Sequence, residues 1–132
     1  MNRDLGVLAL RLAFGFQLVK VSWQNALFPT QHMPQFETYL QSLGFPFPTV
    51  GAYLASYTEL IGGILLLLGF QTRLACVFLL INFTVAVVLA HLSIGDTYQN
   101  TFASVNLWAV CFFLLLNGPG RYSVDERRLR EI

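Results

Sequence analysis

The chain has 132 residues, 55% of them hydrophobic and only 11% charged, with a mean hydropathy of +0.59. An ordinary soluble domain is about one quarter charged, so this composition excludes a soluble globule, a disordered tail and a nucleic-acid binder, and leaves an integral membrane protein. Eight Lys and Arg against seven Asp and Glu give a net charge of +1, so the placement of charge carries more information than its sum.

The longest stretches without Asp, Glu, Lys or Arg are 38–58, 74–95 and 97–120. A helix needs ~20 mostly apolar residues to cross a bilayer, and these lengths suit that. In chain order the pattern predicts four spanning helices, at about 5–28, 50–70, 74–92 and 102–117. The first apolar run carries Arg11 and lacks a small-residue cleavage site, which argues against a signal peptide. A loop with four prolines follows it. Within that loop Phe36, Tyr39, Leu40 and Leu43 fall at i, i+3, i+4 and i+7, between Pro34 at a helix start and Gly44 at a helix stop. This predicts a short amphipathic helix at about 34–43 that lies on the bilayer surface or caps the bundle. The connection Gly69-Phe70-Gln71-Thr72-Arg73 is short enough to force the middle spans into an antiparallel hairpin.

The fold class expected is therefore all-α: an integral membrane four-helix bundle forming one domain over 1–132. Arg3, Arg73, Arg121, Arg127, Arg128 and Arg130 lie at the ends that an antiparallel path of four spans brings to one side, and the positive-inside rule then places both termini in the cytoplasm. Trp23, Tyr53, Tyr57, Tyr98 and Tyr122 lie toward helix ends, as an aromatic belt requires. The two cysteines, Cys76 and Cys111, are too few and too far apart for a CxxC dithiol or a zinc knuckle, and read as small buried hydrophobes.

The polar residues inside the spans are the informative ones: Arg11, Gln17, Lys20, Glu59, Asn82, His91 and Asn106. Counting residues from the arginine-bearing ends puts Glu59, Asn82 and Asn106 at one level near the middle of the bilayer, with Gln17 close to it, so each span contributes one polar side chain to a common layer. Gly62 and Gly63 follow Glu59 at i+3 and i+4, where a neighbouring backbone can approach the acid closely. Arg11 is the cation most able to reach that acid, through its long side chain. Lys20 is nine residues further on, about half a turn around the helix, and joins Gln17 and Gln24 in a stripe toward the outer surface, at the level of His91. That stripe suits an anion, a quinone headgroup or a metal. A metal site built on His32 and His91 would still want a third ligand, so none is expected. For Asn82, Gln17 and Asn106, interhelical hydrogen bonding alone competes with a ligand role; an acid at mid-bilayer is costly enough that a functional site is the default.

Several of these segments, taken in order, resemble the DoxX family of small bacterial membrane proteins. They are Glu59-Leu60-Ile61-Gly62-Gly63, Leu68-Gly69-Phe70-Gln71-Thr72-Arg73, His91 after the third span, and Gly118-Pro119-Gly120-Arg121-Tyr122-Ser123-Val124-Asp125. Leu43-Gly44-Phe45-Pro46 and Asn106-Leu107 fit the same pattern. One segment departs from it. After Arg11-Leu12-Ala13-Phe14-Gly15 the family commonly shows a His-x-Gly-x-x-Lys type run, and here Lys20, Ser22 and Asn25 stand at those positions.

The resemblance implies association with membrane redox systems, such as a thiosulfate:quinone oxidoreductase subunit in archaea and complexes that oppose oxidative and thiol stress in bacteria. The chain itself carries no dinucleotide-binding glycine pattern, flavin motif, CxxC or clear haem ligand pair. The reading that follows is an accessory subunit in the inner membrane of a bacterial cell, without a recognised catalytic motif or resident cofactor, binding a small polar ligand or quinone headgroup. Its candidate ligand-binding residues are Glu59, Arg11, Gln17, Asn106, Lys20 and His91. Beyond the lipid bilayer, a protein partner or a second copy of the chain is expected. A non-catalytic scaffold that recruits a partner and a small proton-coupled transporter are the competing readings.

Overall fold

Proline and glycine punctuate the chain into helices whose ends are set by identifiable caps. The structure, a computed structural model, describes residues 2–42, 44–88 and 98–131. Among them run α1 (Asn2–Leu27), α2 (Pro29–Ser42), α3 (Pro48–Leu68), α4 (Thr72–Val87), α5 (Tyr98–Asn117) and α6 (Val124–Glu131). No strand occurs among the described residues.

Pro29 ends α1 and opens α2, because a proline disfavours helical backbone in the residue before it yet is well accommodated at a first helical position. The amphipathic helix thus starts five residues earlier than the pattern around Phe36 predicts, and Pro34 sits inside it. α2 covers the ends of α1 and α3. Its Met33 is 1% exposed and its sulfur accepts the Ser56 hydroxyl at 3.8 Å; Phe36 and Leu40 are half-buried and Tyr39 is exposed. Leu43 lies outside the described residues.

α3 begins at Pro48 and stops at Gly69, which takes the left-handed conformation (φ 69°). The Gly69 and Phe70 amides return to the carbonyls of Leu66 and Leu65, at 3.2 and 3.0 Å, closing the helix in a Schellman motif. The short hairpin that follows runs antiparallel, as expected. α5 starts at Tyr98, four residues before the predicted boundary, since its first turn, Tyr98-Gln99-Asn100-Thr101, is too polar to register as a span. α6 was not anticipated. Its start is a capping arrangement in which the Ser123 hydroxyl accepts the Glu126 amide at 3.2 Å, and the Ser-x-x-Glu signature at 123–126 announces it.

α1 packs most extensively on α3, α4 lies against α3 and α5, and α1 barely meets α5 among the described residues. The α1–α3 crossing is glycine to glycine: a Cβ on Gly15 would stand 3.0 Å from the Gly63 carbonyl, and one on Gly63 would stand 2.9 Å from the Gly15 carbonyl. Leu18, Leu66, Cys76, Leu79, Phe83, Leu107, Cys111 and Leu114 form the core. The outer faces are apolar as well, with Phe16, Leu54, Ile61, Phe78, Ile81 and Leu116 all exposed. α1 and α3 are long and apolar enough to cross a membrane, yet only 28% and 33% of their most apolar windows are buried. The core helix of a soluble protein would bury most of that surface; a bilayer is the solvent in which this one is stable.

Candidate functional site

The mid-span polar layer is built where α3 meets α4. The Asn82 side-chain amide donates to Glu59 Oε1 at 3.2 Å, and both side chains are half-buried. Two glycines one turn beyond the acid let neighbouring helices approach α3 closely. Gly63, one turn along α3, is pressed against α1, and Gly62 lies under Leu79 of α4, whose side chain would be 2.9 Å from a Cβ there. Two helices therefore close around the carboxyl, and lipid is kept from its inner side.

The other residues assigned to this layer by the sequence are not gathered in. Gln17 is half-buried and Asn106 is exposed, and neither side chain has a hydrogen-bond partner among the described residues. Lys20 and Gln24 are exposed on the side of α1 turned away from the core. His91 lies outside the described residues. Among the described residues no group of three or more His, Cys, Asp or Glu is placed to hold a metal ion.

Arg11 has partners other than the acid it was expected to meet. It is fully buried, and its guanidinium donates to the Leu66 carbonyl at 3.1 Å and to the Tyr122 carbonyl. Leu66 lies in the last turn of α3, where unpaired carbonyls and the negative end of the helix dipole attract a cation. It is seven residues from Glu59, about 10 Å along the helix. Arg11 thus belongs to the arginine-bearing end of the bundle and not to the polar layer.

The DoxX family profile matches residues 6–92. The chain belongs to the DoxX family. It is 33% identical to the uncharacterized membrane protein Rv3486 of Mycobacterium tuberculosis, over 92% of this chain and 80% of that protein. It is also 33% identical to the inner membrane protein YphA of Escherichia coli, over 67% of this chain and 69% of that one. No solved structure matches it. Together with the outward-facing apolar helices, these relatives make this DoxX chain a membrane protein.

At the three positions where this DoxX chain departs from the usual run, Lys20 is exposed, Asn25 is half-buried, and Ser22 is buried with its hydroxyl donated to its own helix at the Leu18 carbonyl, 2.6 Å away. None of them touches Glu59 or Asn82 through a hydrogen bond. The other family-like segments hold the arginine-bearing end together. The Asp125 carboxylate accepts the Gln71 and Thr72 amides, at 2.7 and 2.9 Å, and so caps α4 from 54 and 53 residues away. Its own amide donates to the Gly69 carbonyl at 2.9 Å. Gly69 admits this crossing, because a Cβ there would be 2.4 Å from both the Arg11 guanidinium and the Ser123 side chain.

Sequence reasoning also missed a pairing. Cys76 and Cys111 are both fully buried, as expected of small hydrophobes, but they meet across the α4–α5 contact with their thiols against one another. Only the register of the two helices could have disclosed it.

Proposed function

We propose that this DoxX protein is an inner-membrane accessory subunit of a membrane-associated redox or detoxification system, and that Glu59 and Asn82 bind the polar head of a small membrane-dissolved ligand. A quinone is the class to test first. In this reading α1, α3, α4 and α5 all cross the bilayer and both termini are cytoplasmic, which the gathering of Arg3, Arg73 and Arg121 at one end supports. The observation that carries the ligand site is the hydrogen-bonded Glu59–Asn82 pair, placed at mid-span and half-buried, with Gly62 and Gly63 one turn along α3. A carboxyl and an amide together offer both a donor and acceptors to a carbonyl or hydroxyl headgroup.

The test is to purify the protein in mild detergent, extract bound lipids and quantify quinone by mass spectrometry. Wild type should retain quinone, and Glu59→Gln, which keeps the oxygen that accepts the Asn82 amide, should lose most of it while retaining its fold. A wild-type protein with no more quinone than a detergent blank would refute the assignment. A scaffold role has its own support: Asn106 and Lys20 are exposed and without a side-chain partner among the described residues. Polar groups so placed suit an interface with another membrane helix.

A further inference from the structure

We propose that the arginine-bearing end of the bundle binds an anionic phospholipid, its phosphate held by Arg73 and Arg121 on either side of the turn at 118–121. This site shares no residue with the Glu59–Asn82 pair and is independent of it.

Four of the cations at this end divide into two groups. Arg11 is buried and held by two carbonyls, and Arg3 donates to the Asn117 side chain. Arg73 and Arg121 are exposed, and neither guanidinium has a partner among the described residues. Two neighbouring acids are already engaged. Asp4 accepts the Arg121 backbone amide at 3.3 Å, and Asp125 accepts the Gln71 and Thr72 amides. These carboxylates serve the backbone, which leaves the two guanidinium groups to an outside anion.

The platform beneath them is built. Gly118, at φ 88°, closes α5 with its amide on the Leu114 carbonyl at 2.7 Å. The Arg73 guanidinium lies over it: a Cβ at this position would be 3.1 Å from Nη2 and 3.6 Å from Cζ and Nε. A residue with a side chain would displace that fork; glycine lets it rest on the backbone. Arg121 is three residues on, fixed at its amide by Asp4, while Gly120 rests against Val7. A planar guanidinium offers paired N–H donors to phosphate oxygens, and two such groups suit a phosphodiester.

The depth distinguishes a lipid from a free ion. Arg73 and the 118–121 turn stand where the apolar faces of α4 and α5 end, with Leu74 and Leu116 exposed beside them at 54% and 67%. A headgroup phosphate reaching the arginines would lay its acyl chains along those faces. Attraction of a membrane's anionic headgroups to a nearby Arg changes binding about five-fold for each residue.

The full chain is purified in zwitterionic detergent, mixed with equal amounts of phosphatidylglycerol and phosphatidylcholine of matched acyl chains, and the retained lipid is identified by native mass spectrometry. Wild type should prefer phosphatidylglycerol. Arg73→Gln and Arg121→Gln should each reduce that preference about five-fold, and together roughly thirty-fold, whereas Lys20→Gln should leave it unchanged. Raising the salt concentration on wild type alone should erode the preference, which keeps the proposal testable if the double variant does not fold. No preference in wild type, an undiminished preference in a folded double variant, or full displacement by millimolar inorganic phosphate would each overturn it, the last by pointing to a bare anion site.

Discussion

Replacing Glu59 by Gln should leave Arg11 undisturbed, and a double-mutant cycle can measure how completely. The glutamine keeps the oxygen that accepts the Asn82 amide, so Glu59→Gln should cost under about 1 kcal/mol. Arg11→Met removes two donors, to the Leu66 and Tyr122 carbonyls. The Leu66 carbonyl still accepts the Gly69 amide at 3.2 Å, so the loss falls mainly at Tyr122. A hydrogen bond from a charged donor contributes about 1.5–3 kcal/mol, and removing a desolvated guanidinium returns part of that. The net cost expected is roughly 2–4 kcal/mol. Because the two sites share no partner and stand about 10 Å apart along α3, their effects should add to within about 0.5 kcal/mol. A direct ion pair would behave otherwise: either single change would cost roughly 3–5 kcal/mol and the double change would recover much of it. Unfolding the four proteins by titration with sodium dodecyl sulfate, followed by circular dichroism, gives the coupling. A value of about 2 kcal/mol or more would show that the acid and the arginine meet in the membrane, and the reasoning would fail.

Other consequences are equally open to measurement. In a chain with Cys76 and Cys111 replaced, a cysteine introduced at Gln31 should react with an impermeant maleimide in intact cells and one at Glu131 should not; labelling of Glu131 would invert the orientation. Asp125→Ala strips the cap from α4 and should destabilise by about 1–2 kcal/mol, with α6 becoming the first site of proteolysis; an unchanged unfolding midpoint would deny the cap its role. Gly63→Ala drives a methyl to 2.9 Å from the Gly15 carbonyl and should cost about 1–3 kcal/mol, whereas Gly6→Ala, with nothing within 4 Å, should be close to neutral in the same assay.

The helices themselves were largely legible, because proline, glycine and hydropathy mark most of their ends independently. Pro48 and Gly69 bound α3 at both ends, and the pattern predicts it to within two residues. The failures share a cause. α2 begins at Pro29 and not at Pro34, and runs on through Pro34 in its second turn at the loss of one helical hydrogen bond; the first turn of α5 is polar, and α6 is a charged helix whose mean character is that of a loop. Hydropathy sees burial in lipid, and none of these turns is apolar enough to register on it. The Ser123–Glu126 spacing was the one local signal for α6.

The polar layer was legible in height but not in direction. Residue counting brings Glu59 and Asn82 to one level without pairing them, and the structure joins the two by a hydrogen bond. The same counting admits Asn106 and Gln17, but level alone does not bond them: Asn106 is exposed, and Gln17 finds no partner among the described residues. Arg11 shows why charge complementarity misleads inside a membrane. A buried cation seeks acceptors of any kind, and the last turn of a helix presents several carbonyls and a partial negative charge at no cost in buried acid. Leu66 and Tyr122 supply those acceptors from the backbone, so no pattern of side chains could name them. Because the guanidinium donates to backbone carbonyls at the arginine-bearing end, the acid is not committed to an ion pair with it. That freedom is what a ligand site at the Glu59–Asn82 pair requires, and it is what a purely structural salt bridge would have denied.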